Sequence, residues 1–289
     1  MSIKPKTKEN LLRAFFYFLL YSSVIVIMFP VIIMIFSSLM SEHELYLNHY
    51  PNFHLFPNEW NTITELFENY RYVMVSSKRA VATFINSLKI AIPTTIIATV
   101  SACLAAYPLS RSKMRGRNMI LLLFLFASMV PTMAILIPLY LQFVNLSLYD
   151  TIWGLVIVLT AYTLPFSIWV MKSFYDTIPD ALEEAALVDG CTRFKALLRI
   201  IIPVALPGIG AVSVYTFIIA WSNFLIGLIL TKTKSTPFTV YVGVLSNMEN
   251  MEVTKILATG VISSIPVVIL ALLFQKVIIR GLVEGAVKG

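Results

Sequence analysis

Charge is what this sequence has least of. Asp, Glu, Lys and Arg make up 13% of its 289 residues, about half the share of a soluble domain. The 58% that is hydrophobic exceeds what one globular core can hide. That scarcity excludes a soluble enzyme and a disordered regulator and leaves an integral membrane protein. Cysteine is nearly absent too: Cys103 and Cys191 cannot build a disulfide framework and fall at different depths of the chain's topology. No Gly-x4-Gly-Lys-Ser/Thr occurs, so the chain has no phosphate-cradling loop of its own. Neither His-Glu-x-x-His nor Gly-x-Ser-x-Gly is present, which removes two common grounds for a membrane enzyme. The three histidines, His43, His49 and His54, share one segment at a spacing that matches no structural zinc pattern, so no metal site is expected.

What is there is apolar length. A helix crossing the hydrocarbon layer needs about 20 apolar residues. Six stretches free of Asp, Glu, Lys, Arg and His reach that length: Ala14 to Met40, Ile90 to Ser110, Asn118 to Tyr149, Thr151 to Met171, Ile200 to Thr231 and Ile256 to Gln275. Two of them, 32 residues each, exceed one helix and must include loop or interfacial residues. None alternates as a barrel strand would. The first is too long for a signal-peptide core and reads as an anchor. The expected fold class is all-α, with six transmembrane helices.

Lys and Arg orient these spans. Fifteen lie in the N-terminal tail, the 111–117 loop, the 172–199 loop and the C-terminus, and seven on the opposite side. That asymmetry places both termini in the cytoplasm. It also accounts for the net charge of +7 without nucleic acid. The absence of ionisable residues in the spans argues against a proton-driven carrier. Prolines at 30, 93, 108, 131, 138, 165, 207 and 266 would kink helices, as a path that opens and closes requires. The third outer loop, Lys232 to Lys255, carries Pro237, Phe238, Tyr241, Gly243 and Asn247 and reads as a folded loop able to meet a partner.

The most specific signal lies between the fourth and fifth spans. Residues 177–190 read Thr-Ile-Pro-Asp-Ala-Leu-Glu-Glu-Ala-Ala-Leu-Val-Asp-Gly. Thr177 or a neighbour can cap a helix, Pro179 suits its first turn, and Asp180, Glu183 and Glu184 favour its positive end. Ala185 and Ala186 promote helix with little bulk, and Gly190 suits a left-handed stop. A basic helix with Arg193, Lys195 and Arg199 then runs to Pro203. The expectation is a short, stiff helix–turn–helix shaped to dock into a cleft.

Glu184, Ala185 and Ala186, with Gly190, Ile200 and Pro203 at their spacings, resemble the EAA loop of the membrane subunits of binding-protein-dependent ABC importers. The C-terminal run from Gly281 through Gly285 and Lys288 to Gly289 is similar to the tail of the shorter subunit of maltose-type sugar permeases. Trp221, Ser222 and Asn223 resemble the family's fifth-helix segment, although an acidic residue often stands where Asn223 is.

The resemblance implies a type I ABC importer permease fold, with residues 1–82 as tail, first helix and long outer loop and 83–289 as the permease core. It implies that Glu183, Glu184, Ala185, Ala186, Asp189, Gly190, Ile200 and Pro203 couple the 177–203 loop to a separate ATPase. It implies that Gly281, Gly285, Lys288 and Gly289 lie at the ATPase interface. The implied partners are a second permease subunit, a dimer of ATPase subunits that bind ATP and Mg, an extracytoplasmic solute-binding protein and the bilayer of a bacterial-type cell membrane. No cofactor and no catalytic residue is expected in this chain itself. Neutral spans favour an uncharged polar solute, and the resemblance favours a carbohydrate, with another neutral or polyol-phosphate solute as the alternative. Trp221, Ser222 and Asn223 are candidate pathway residues, although Trp221 also suits an interfacial belt. A stand-alone secondary carrier is the competing class; it predicts an inverted repeat of broken helices, and none is evident.

Overall fold

A computed structural model describes the backbone of residues 5–42, 45, 67–112, 114–245 and 252–286 and, among these, the side chains from 12 to 275. The three histidines, Asn247, Lys288 and Gly289 lie outside the described residues. Every regular element among the described residues is a helix. The long ones are α1 (Pro5–Ser38), α3 (Lys78–Arg111), α6 (Ile152–Thr177) and α12 (Val253–Ala286). Between α1 and α3 lies the short α2 (Glu68–Arg71), continued by a π-turn over Tyr72–Ser76.

The remaining apolar stretches are broken. Helices α4 (Arg117–Ser128) and α5 (Thr132–Asn145) meet at 88° around Pro131, which has no N–H to continue α4. Helix α8 (Arg193–Val204, with a π-turn at Leu197–Ile201) meets α9 (Leu206–Ser222) at 77° beside Pro207. Among the described residues four helices are long and apolar enough to cross a membrane, and up to six if each bent pair is one span. The two stretches too long for one helix are therefore the two that bend.

The described chain forms two compact units. The first comprises Met1–Lys78 and Leu245–Ile262. There α1 is apolar and exposed along its crossing length. Its end is tied by Asn69, whose amide nitrogen donates to the carbonyls of Ser38 and Met40 at 3.0 Å each. The Glu42 carboxylate accepts from the backbone N–H groups of Val253 (3.0 Å) and Thr254 (3.2 Å). It thereby satisfies two of the unpaired donors that every helix start leaves, here those of α12.

The second unit comprises Arg79–Val244 and Ser263–Gly289. It adds α7 (Asp180–Val188), α10 (Leu225–Leu230) and α11 (Phe238–Leu245). It has two apolar clusters, and α3 contributes to both. Ile90 and Ala91 pack with Leu136, Leu155, Phe217 and Trp221. Ala102, Cys103, Ala106 and Leu109 pack with Ile168, Met171, Tyr175 and Ile201. Ala91, Ala98, Ala102 and Ala106 have no exposed surface. In a membrane, where lipid tails are as apolar as side chains, such small residues hold helices together by close dispersion contact. Gly208 makes a comparable approach: a Cβ there would sit 2.5 Å from Cγ of Phe174, so α9 crosses α6 at a distance only glycine permits.

Candidate coupling site

Helix α7 begins directly after Pro179, whose ψ of 134° leaves it outside the helix. No side chain caps it, and Thr177 is instead the last residue of α6, with its hydroxyl on the Phe174 carbonyl at 2.7 Å. The cap expected of Thr177 is lost because α6 continues through it, and Ile178 is extended, as a residue before proline prefers. Asp180 and Glu183 still place negative charge in the first turn, where the helix dipole favours it.

The other end follows the glycine. Gly190 has φ +82°. Its N–H donates to the Leu187 carbonyl at 3.1 Å, and the Cys191 N–H to the Ala186 carbonyl at 2.9 Å. This is the paired closure known as a Schellman motif. Thr192 then caps α8, its hydroxyl accepting from the Lys195 N–H at 3.3 Å. The helix–turn–helix read from the sequence is therefore present, with a second cap that reading missed.

The residues expected to couple divide into two faces. Glu183 and Ala186 are buried against the chain's own core, while Glu184, Ala185, Asp189 and Gly190 are exposed. Ile200 sits in the π-turn of α8, half-buried, and Pro203 is exposed just before the bend. Leu182 and Val188 stand with Ala185 along the exposed face of α7, Val188 at 88% exposure, and Phe194 is exposed on α8.

The buried face is latched to the end of α3. Tyr107 donates its hydroxyl to Oε1 of Glu183 at 2.5 Å. Arg111 donates to the Asp180 carboxylate, reaches the Ile178 carbonyl at 2.8 Å through Nη2, and holds Nε 3.3 Å from Oε2 of Glu183. Ser110 donates to Asp176 near the end of α6 at 2.7 Å. Sequence reasoning counted Arg111 only as an orienting charge and gave Tyr107 no role.

At the far end of the same unit the 231–237 loop is held as firmly. Asp150, at φ +55°, accepts at Oδ1 from the backbone N–H of Lys232 (3.0 Å), Lys234 (3.2 Å) and Ser235 (3.1 Å). Its Oδ2 accepts from the Thr233 N–H at 3.2 Å. Partial burial alone would raise this carboxyl, but the donors at Lys232, Ser235, Lys234 and Thr233 outweigh it and bring the pKa down to about 2. From α3, Asn86 donates to the carbonyls of Lys234 (2.9 Å) and Thr236 (3.2 Å), and Ser87 accepts from the Phe238 N–H at 2.7 Å.

The helix–turn–helix therefore has one face latched to the chain's own core and the other bare. Comparison with known proteins gives the family. The model of the family described as "Binding-protein-dependent transport system inner membrane component" matches residues 91–284. The chain belongs to this family. It is 32% identical to the inner membrane ABC transporter permease protein YcjP of Escherichia coli (strain K12), over 98% of this chain and 99% of that protein. It is 37% identical to the trehalose/maltose transport system permease protein MalG of Thermococcus litoralis, over 71% of this chain and 74% of that one. Among solved structures, a chain of a bacterial ABC transporter involved in the import of the acidic polysaccharide alginate superposes with a TM-score of 0.75, covering 96% of this chain and 98% of that one at 21% identity; that likeness shows the fold.

The chain is thus a multi-pass membrane component of a transport system, in a family of permease subunits rather than catalysts. The candidate pathway residues of this permease lie around the break after α9. Trp221 is buried, stacked with Phe217 at 5.9 Å and edge-on to Phe84 at 5.4 Å, and its Nε1–H donates to the Ser263 carbonyl at 2.9 Å. Ser222 is exposed, with its hydroxyl on the Ile218 carbonyl at 2.6 Å. Asn223 is extended and accepts the Ile226 N–H, in the first turn of α10, at 3.0 Å through Oδ1. Gly281 and Gly285 lie on the helical backbone of α12. Cys103 and Cys191 are both free thiols. Among the described residues, no group of three His, Cys, Asp or Glu could hold a metal.

Proposed function

We propose that this permease is one of two membrane subunits of an ATP-driven importer that takes up a neutral carbohydrate, with six spans and both termini in the cytoplasm. The observation that carries the reading is α7: a nine-residue helix closed by Gly190, latched on one face and bare on the other. A rigid helix with an apolar exposed stripe fits a groove in a separate polypeptide, and since the sequence has no phosphate-cradling loop, ATP-driven transport would draw on another polypeptide for hydrolysis. In this reading Glu184, Ala185, Asp189 and Gly190, with Leu182 and Val188, meet a dimeric ATPase that holds ATP and Mg. Glu183 and Ala186 set the helix in place from behind. The tail from Gly281 to Gly289 reaches the same ATPase. The 231–237 loop meets a solute-binding protein on the outer side, and Ser222 and Asn223 border the solute's path. A trehalose/maltose relative supports carbohydrate as cargo.

Cys191, half-exposed one residue past the turn, provides the test. In a Cys103→Ala background the chain is purified gently from its own membranes and crosslinked through Cys191 with a short bifunctional reagent. The expected product is a conjugate with a protein carrying an ATPase phosphate loop. Uptake of labelled trehalose and maltose by cells with and without the chain then addresses the cargo. A chain that purifies alone and still transports without ATP would overturn the reading in favour of a secondary carrier.

A further inference from the structure

Helix α3 binds a different loop at each end. Near its start Asn86 and Ser87 hold the 231–238 segment through the carbonyls of Lys234 and Thr236 and the N–H of Phe238. At its finish Tyr107 and Arg111 hold α7 through Glu183, Asp180 and the Ile178 carbonyl. The helix runs continuously between them, with Pro93 and Pro108 inside it, and at 1.5 Å per residue along a straight axis Asn86 and Arg111 stand at most about 37 Å apart. Along that length α3 supplies buried residues to both apolar clusters of its unit. Close-packed elements shift as bodies rather than deform continuously. A displacement of either loop must therefore move α3 or break bonds made by buried groups, among them Ser87 and Glu183.

Helix α6 offers a second route. Asp150, just before it, clasps the same outer loop, and its last turn runs through Ile178 and Pro179 straight into α7. That junction is two extended residues, which fix the start of α7 but leave its rotation free. The Arg111 fork and the Tyr107 hydroxyl remove that freedom.

We propose that α3 is the strut that carries motion between the coupling helix α7 and the 231–237 loop, with Tyr107 and Arg111 as positioning residues at one end and Asn86 at the other. The inference rests on the reading that α7 meets an ATPase and that the 231–237 loop faces the opposite side of the membrane.

The test uses the assembled transporter carrying Cys103→Ala, Cys191→Ser and Thr233→Cys, with maleimide labelling at 233 as the readout and MgATP plus vanadate as the probe. Trapping nucleotide should change the labelling rate. Asn86→Ala and Tyr107→Phe should each reduce that change at least threefold, and Arg111→Lys should reproduce the Tyr107→Phe result with the charge kept. Independent sites this far apart combine their effects multiplicatively. If one rod joins them, the Asn86→Ala/Tyr107→Phe double variant is no worse than the stronger single one. Multiplied effects, or a full response in either single variant, would assign the transmission to α6 and overturn the strut. Co-purification of the ATPase with each variant separates these outcomes from failed assembly. If no ATPase accompanies even the unaltered chain, the proposed function falls, and the strut with it.

Discussion

Arg111 and Glu183 come from the end of α3 and the first turn of α7 and meet with Nε 3.3 Å from Oε2, each side chain 9% exposed. Little water reaches either charge, so removing one costs the other a buried partner. Breaking a buried pair this way costs about 3–5 kcal/mol. Asp180 and the Ile178 carbonyl still hold Arg111, which puts Glu183→Ala near the low end of that range. Glu183→Gln keeps an acceptor for Tyr107 and should cost less than half as much. Thermal unfolding of the purified chain measures the order, and an unchanged midpoint for Glu183→Ala would remove the latch from the account.

Gly190 is required for its backbone and not for its size. A Cβ there meets nothing within 4 Å, yet φ is +82°. A branched residue in that region costs about 1–2 kcal/mol, while Asn tolerates it far better. Gly190→Val should therefore lower the ratio of solute moved to ATP hydrolysed several-fold, and Gly190→Asn only slightly. Val and Asn are similar in volume, so equal effects would show that space and not conformation governs the turn.

These two sites differ in how far the sequence disclosed them. Pro179, the acidic first turn, Ala185, Ala186 and Gly190 are local signals, and α7 with its Schellman closure lies where they place it. The latch is not local. Arg111 stands among basic residues that orient the membrane spans, and nothing in its neighbourhood says that its guanidinium turns back to Glu183. Asp150 reads as a lone loop acid until the chain brings residues 232–235 around it. Thr177 illustrates the reverse: its propensity to cap was real, but α6 continues through that position and takes its hydroxyl. The bends at Pro131 and beside Pro207 were legible as excess length and as prolines, but a proline marks where a helix can break and tertiary packing decides by how much.

Trp221 separates a packing role from a pathway role. Its indole is 2% exposed, and Nε1 spends its only hydrogen on the Ser263 carbonyl. Trp221→Phe keeps a ring against Phe84 and Phe217 and loses that bond, worth about 1 kcal/mol with a further cost for the orphaned carbonyl. The variant should melt earlier yet transport at the normal rate per assembled complex, whereas Ser222→Ala should leave the melting point unchanged. A transport defect in Trp221→Phe at full assembly would place the indole on the solute's path after all.

Asp150 should make the order of the 231–237 loop depend on acid. Its carboxyl titrates at about 2 in the folded chain against an ordinary 3.8. A depressed carboxyl pKa contributes stability that is complete above the unfolded value and disappears as pH falls through the folded one. The amides of Lys232, Thr233, Lys234 and Ser235 should accordingly hold their hydrogen-exchange protection down to about pH 4 and lose it toward about pH 2. Asp150→Asn replaces a charged acceptor with a weaker neutral one. Hydrogen bonds to charged groups contribute about 1.5–3 kcal/mol, so protection at those amides should fall roughly tenfold or more at neutral pH and no longer change between pH 4 and pH 2. The Asn86 bonds to Lys234 and Thr236 remain in that variant, so the loop should loosen without detaching. Protection that stays intact in Asp150→Asn would mean that α3 alone holds the loop and that the carboxylate is incidental.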